Sequence, residues 1–139
     1  MECKGKPVAV CSWSLQKDIA GVAEAMGKLG LEHVNLAIRP AVEDESGAVL
    51  DAIKAQNWTI TSTMVDLPQE DYSTLERIKV TGGVVPDDSW DYTRDLFAKG
   101  AKLTAELGVK YVGMHAGFVD ESDEAYAAKI HDRIRTLAD

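Results

Sequence analysis

Five residues stand where short apolar runs give way to loops, and each carries a group able to do chemistry. His115 closes the run Lys110–His115 (KYVGMH) and is followed by Ala-Gly. Its imidazole can move a proton or bind a polar ligand near neutral pH. Ser12 and Trp13 close the run Val8–Trp13 (VAVCSW), offering a hydroxyl and a flat apolar wall. Asp66 follows Trp58–Val65 (WTITSTMV) and supplies a carboxylate acceptor, while Arg39 follows Glu32–Ile38 (EHVNLAI) and suits a phosphate or carboxylate. Each also has a plainer role open to it: a hydrogen-bonded structural His, a buried Trp, a turn Asp before Leu67-Pro68, a solvated Arg. No Ser-His-Asp, Cys-His or HExxH arrangement can be assembled, and one His cannot make a catalytic metal site, which needs about three protein ligands.

The elements that must hold these groups alternate. Asp18 can cap a helix running to about Leu29, with Ile19, Val22, Ala23, Met26 and Leu29 on one face and Gly30 as its stop. Ser46 opens a helix through about Gln56. A long helix spans about Trp90 to Leu107, with Tyr92, Leu96, Leu103 and Leu107 as its expected inner face. Ser122 or Asp123 starts a last helix whose expected stripe is Tyr126, Ile130, Ile134 and Leu137. The order β-α-β-α-β-loop-α-β-α indicates βαβ units and a parallel sheet. KLGLEHVNL and ELGVKYVGM repeat one helix-end, Gly-stop, strand pattern 78 residues apart, as successive βα units or chance αβ turns would.

The strands read as one-sided. Thr59, Thr61 and Thr63 alternate with Ile60, Ser62 and Met64, and His33 and Asn35 alternate with Val34 and Leu36. A doubly wound sheet, the alternative fold, buries its central strands on both faces and favours continuous apolar runs. Neither GxGxxG nor a P-loop follows the first strand. The stretch from Asp66 to Trp90 is long for a connection and suits a lid, with a helical turn at Tyr72–Ile78 and Thr81-Gly82-Gly83 for flexibility. Asp87, Asp88 and Asp91 read as a solvated helix start, as does the cluster Asp120–Glu124; His131 reads as surface.

Composition bounds the partners. The 139 residues carry 15 Lys and Arg against 23 Asp and Glu, a net charge of −8, which argues against a nucleic-acid binder and an anionic membrane surface. Hydrophobic residues make up 45% of the chain, enough for a packed core. Cys3 and Cys11 are too few for a disulfide scaffold. No run approaches the roughly 18 apolar residues of a membrane span, and the N-terminus makes a poor signal peptide. The chain reads as cytoplasmic.

Four segments together carry a family resemblance: VAVCSWSL, GLEHVNLAI, TSTMVDLPQEDYSTLERIKVTGGVVPDD and KYVGMHAG. They resemble the N-terminal half of a sugar phosphate isomerase/epimerase of the xylose-isomerase-like (β/α)8 TIM barrel superfamily, over essentially the whole chain. The resemblance implies an α/β fold made of the first four βα units of that barrel, a half-barrel with parallel strands. Residues 1–139 would then be a partial domain, truncated after the fourth unit of a barrel of about 250 residues. It implies metal-assisted proton transfer beside a carbonyl, with the divalent metal (Mn, Mg, Zn or Co) held by a Glu, an Asp, a His and a Glu on the last four strands. Those strands lie outside this chain, so the expectation is that it binds no metal and is inactive alone. On this resemblance His115 is the catalytic candidate. Trp13, Ser12, Asp66 and Arg39 are substrate-binding candidates, for a small-molecule sugar or sugar phosphate. A second reading is a non-catalytic half-barrel that pairs with itself as a homodimer, or with a separate C-terminal half, since an open half-barrel exposes strand edges. The related DNA-repair nucleases fit the acidic charge poorly.

Overall fold

A computed structural model describes all residues from Met1 to Asp139. The strands are β1 (Glu2–Cys3), β2 (Lys6–Pro7), β3 (Ala9–Cys11), β4 (His33–Ala37), β5 (Thr59–Val65) and β6 (Val112–Met114). The helices are α1 (Ile19–Leu29), α2 (Arg39–Glu43), α3 (Ala48–Lys54), α4 (Leu75–Thr81), α5 (Trp90–Glu106) and α6 (Glu124–Ala138). No helix is long and apolar enough to cross a membrane. The chain divides into two compact units: Met1–Val65 with Gly100–Gly113, and Asp66–Lys99 with Met114–Asp139.

The first unit carries the sheet, in the order β3-β4-β5-β6, with β3 parallel to β4 and β4 parallel to β5. The Thr63 N–H donates to the Tyr111 carbonyl at 2.9 Å on the β6 side. Strand alternation is strict on β4: Val34 and Leu36 are fully buried, while His33, Asn35 and Ala37 are half-buried. On β5 the sequence expectation of a polar Thr side and an apolar side is overturned. Thr63 and Val65 are buried and Ile60, Ser62 and Met64 are half-buried. Thr63 is satisfied by Thr104 of α5, hydroxyl to hydroxyl at 2.7 Å, so its polarity does not mark an open face.

Helix α1 forms as the sequence predicts. The Asp18 carboxylate accepts the Gly21 N–H at 2.8 Å, Gly30 closes the helix at φ 64°, and Val22 and Met26 face the core. Two elements differ from expectation. Arg39-Pro40 stops the second run, as expected, and also begins α2, a helix the sequence did not signal, because proline suits the first helical turn, where its missing N–H has no partner to lose. The run Val8–Trp13 pairs as a strand over β3, and Ser12–Leu15 turns into a short 3-10 helix.

The inner face of α5 also differs from the Tyr92-Leu96-Leu103-Leu107 stripe. In the first unit, Gly100 and Thr104 are the buried positions. A Cβ on Gly100 would sit 3.0 Å from Val65 Cγ2 and 3.2 Å from Ile38 Cγ2. Small residues admit the helix to that distance, and a Leu there would not fit. In the second unit Thr93 and Leu96 are buried and Tyr92 is exposed.

The second unit contains α4, the start of α5, and α6. Thr74 caps α4, its hydroxyl accepting the Arg77 N–H, and Asp123 caps α6, accepting the Tyr126 N–H. Helix α6 buries Ala127 and Ile130, while Ile134 of the expected stripe is 36% exposed. Arg133 takes the next turn instead. It donates to the carbonyls of Val84, Val85 and Pro86 and to the Asp87 carboxylate, and lies 5.0 Å from the Trp90 ring centre.

Candidate functional site

Within the second unit, His115 stands one residue past β6, at the C-terminal end of the strand. Its Nδ1 lies 2.9 Å from Oε1 of Glu70, a carboxylate whose side chain is 6% exposed. The same Oε1 accepts the Gly83 N–H at 2.9 Å, and Oε2 accepts the Tyr72 hydroxyl at 3.0 Å. Two donors and the imidazole nitrogen therefore surround one nearly buried carboxylate, as a buried charge requires.

The backbone around this carboxylate is tight. Gly83 has φ +60°, and a Cβ there would lie 2.2 Å from the Ala116 carbonyl carbon. The Val84 N–H donates to the Ala116 carbonyl at 3.1 Å, tying the Gly82-Gly83 corner to the segment after His115. Both glycines are buried. The expectation that Gly82-Gly83 lends flexibility is corrected here: glycine is required for close approach of two backbones at positive φ. The expected helical turn at Tyr72–Ile78 is instead α4, three residues later in the chain.

Aromatic rings flank the imidazole. The Tyr72 centroid is 6.2 Å from that of His115 in a tilted arrangement, and Phe118 meets it edge-on at 5.9 Å. Desolvation, then the Glu70 charge and its hydrogen bond, pushes the Tyr72 phenol up to about 12. Beside it Asp71 is held down to about 2 by the Ser73 hydroxyl, the Ser73 N–H and the Arg77 guanidinium at 2.9 Å. An open groove of about 790 Å³, lined in part by Lys79, Val80, Val85, Phe118 and Tyr126, borders the cluster through Phe118. Asp66 is half-buried at the start of the same unit.

The other candidates lie in the first unit. The Ser12 hydroxyl is buried and accepts the Ala37 N–H at 2.8 Å, joining the end of β3 to the end of β4. Trp13 is exposed in the 3-10 turn. Arg39, on α2, donates to Glu43 at 3.0 Å. Sequence reasoning passed over Glu70 and Tyr72. Their signal was faint: a Glu-Asp-Tyr in a polar connection, 45 residues from the histidine that Glu70 meets.

The side chains present do not assemble a metal centre. No group of three or more His, Cys, Asp or Glu is clustered to hold an ion. His115 with Glu70 makes a pair, and that carboxylate is already committed to three protein partners.

No protein-family model matches the chain, and no curated protein matches it. Among solved structures, the chain is similar to a xylose isomerase domain protein from Planctomyces limnophilus, with a TM-score of 0.75 and 17% identity. The match covers 94% of this chain and 48% of that protein, so the chain spans about half its length. That likeness, with the parallel pairing and the alternating helices, establishes the fold as an α/β half-barrel, the first four βα units of a (β/α)8 barrel with parallel strands.

Proposed function

We propose that this chain is a sugar isomerase/epimerase-like protein that contributes the sugar-binding side of a proton-transfer site and is inactive as these 139 residues alone. The observation that carries the reading is the placement of His115 at the C-terminal end of β6, where (β/α)8 barrels gather their catalytic groups. The ring has an acidic partner on one nitrogen and two aromatic rings with centroids 5.9 and 6.2 Å away, a combination suited to a polyol with hydroxyls and C–H faces. His115 takes the catalytic role, and Asp66 accepts from a sugar hydroxyl. In the first unit Trp13 supplies an apolar face, Ser12 holds the strand ends that support it, and Arg39 meets a phosphate or carboxylate. The full reaction moves a proton beside a carbonyl and draws on a divalent metal held by groups outside this chain; no step through that metal is assigned to these residues. Two free thiols, Cys3 and Cys11, suit a reducing cytoplasm.

Titration of the purified chain with xylose, xylulose and xylulose 5-phosphate, followed by NMR, tests the reading. The expected result is ligand-dependent shifts at His115, Tyr72 and Phe118 that vanish in His115→Ala, without turnover. Metal-dependent turnover by the chain alone contradicts the claim of inactivity, and silence toward every sugar contradicts sugar binding.

A second reading, an assembly module, is favoured by one feature of the first unit. His33, Asn35, Ala37, Ile60, Ser62 and Met64 remain half-buried along the sheet, and Asn35 Oδ1 is buried without a hydrogen-bond partner. Such a surface suits a second copy or a complementary half as its cover. Size-exclusion chromatography discriminates: a dimer with one cooperative melt supports pairing, and a well-folded monomer at high concentration counts against it.

A further inference from the structure

We propose that Glu70 is a positioning residue that locks His115 in its Nδ1–H tautomer, so that Nε2 is presented as a hydrogen-bond acceptor for a hydroxyl of the ligand. The polarity of the network follows from its one invariant donor. A backbone N–H can only donate, so Glu70 Oε1 is an acceptor toward Gly83. The remaining lone pair of that oxygen faces His115 Nδ1 at 2.9 Å, which therefore carries the hydrogen. Tyr72 donates to the other oxygen at 3.0 Å, as a phenol does throughout the neutral range.

Nε2 then bears the lone pair. It has no hydrogen-bond partner in the chain, and the His115 side chain is 30% exposed, which leaves the ring open to an incoming group. The ring cannot easily turn to exchange its nitrogens. A Cβ on Gly82 would lie 3.0 Å from His115 Cε1, which shows how closely the main chain flanks the ring edge, and Phe118 meets the ring edge-on at 5.9 Å. A carboxylate that fixes both tautomer and ring direction from behind is the usual way a histidine is aimed at a ligand.

The inference rests on the sugar reading for the identity of the hydroxyl, and the tautomer stands without it. Long-range nitrogen–proton NMR of the imidazoles in the whole chain, at mildly alkaline pH, tests it, with His33 and His131 as internal references. The expected spectrum has His115 as Nδ1–H with a pyridine-like Nε2. Glu70→Ala shifts it toward the Nε2–H form that free histidine prefers, and Glu70→Gln, whose carbonyl oxygen can still accept, restores Nδ1–H. A wild-type His115 found mainly as Nε2–H overturns the proposal whether or not the variants fold; so does a folded Glu70→Ala that keeps the wild-type pattern. Addition of xylulose should shift the Nε2 resonance. An Nε2 indifferent to every sugar, beside an intact Nδ1–H signal, counts against the sugar reading and leaves the tautomer assignment upheld.

Discussion

Replacing Gly83 by Ala should damage the second unit far more than any other glycine-to-alanine change at positive φ in open space. Gly108 is the control. It has φ +72° and no atom within 4 Å of an added Cβ, so Gly108→Ala costs the left-handed conformation alone, about 1–2 kcal/mol. Gly83 at φ +60° carries the same conformational cost and a collision besides. Its Cβ would lie 2.2 Å from the Ala116 carbonyl carbon, where a carbon–carbon contact needs about 3.5 Å. Backbone cannot rotate aside as a side-chain tip does, so the two segments must part by more than 1 Å, roughly the shortfall in that contact. Parting them breaks Val84 N–H to Ala116 O and stretches Gly83 N–H to Glu70. Each buried donor left unpaired adds about 1–3 kcal/mol. The expected loss is about 4–6 kcal/mol, a large share of the roughly 5–15 kcal/mol that holds a domain together. Urea denaturation followed by circular dichroism reads it: at a slope of about 2 kcal/mol/M, the Gly83→Ala midpoint falls by about 2–3 M and that of Gly108→Ala by less than about 1 M. Equal midpoints for the two variants would refute the claim that the Gly83–Ala116 approach is a fixed contact.

Two further perturbations separate local causes. Thr104 donates to the Gly100 carbonyl, so the Thr63 hydroxyl must donate to Thr104. Thr104→Val therefore strands a buried donor at a cost of about 1–3 kcal/mol, and adding Thr63→Val recovers part of that loss; a double variant that melts below Thr104→Val contradicts this direction of donation. Stability should also show two pH-dependent edges. The Asp71 carboxyl, lowered from 3.8 to about 2, contributes stability that is present above 3.8 and is lost as pH falls toward 2. The Tyr72 phenol, raised from 10.0 to about 12, contributes stability that is full below 10 and is lost as pH rises toward 12. Asp71→Asn should remove the acid edge and Tyr72→Phe the alkaline one, each measured as the difference in melting temperature from wild type across the stated interval; an unchanged edge in either variant rejects the assignment.

What could be read along the chain was what neighbouring residues decide among themselves. Asp18 and Gly30 bracket α1, Asp123 opens α6, and the alternation around Val34 and Leu36 marks β4, because caps and pleats act within a few residues. The order of these elements left a doubly wound sheet open beside the half-barrel; strand endings such as KYVGMHAG, through the family resemblance they carry, decided for the half-barrel and put His115 at a strand end. Tertiary structure decided which face of each helix is inside. Helix α5 turns Gly100 and Thr104 inward in place of Leu103 because the approach to Val65 and Ile38 leaves room for nothing larger. It also decided the company His115 keeps. Glu70 is one acid among 23 in the sequence, and nothing local separates it from Asp71 beside it. It becomes the histidine's partner because the Gly82-Gly83 corner, admitted against Ala116 by the absence of a Cβ, brings the Gly83 N–H to the carboxylate that also takes His115 Nδ1. Such a pairing across 45 residues is a product of backbone packing, which one-dimensional spacing does not encode.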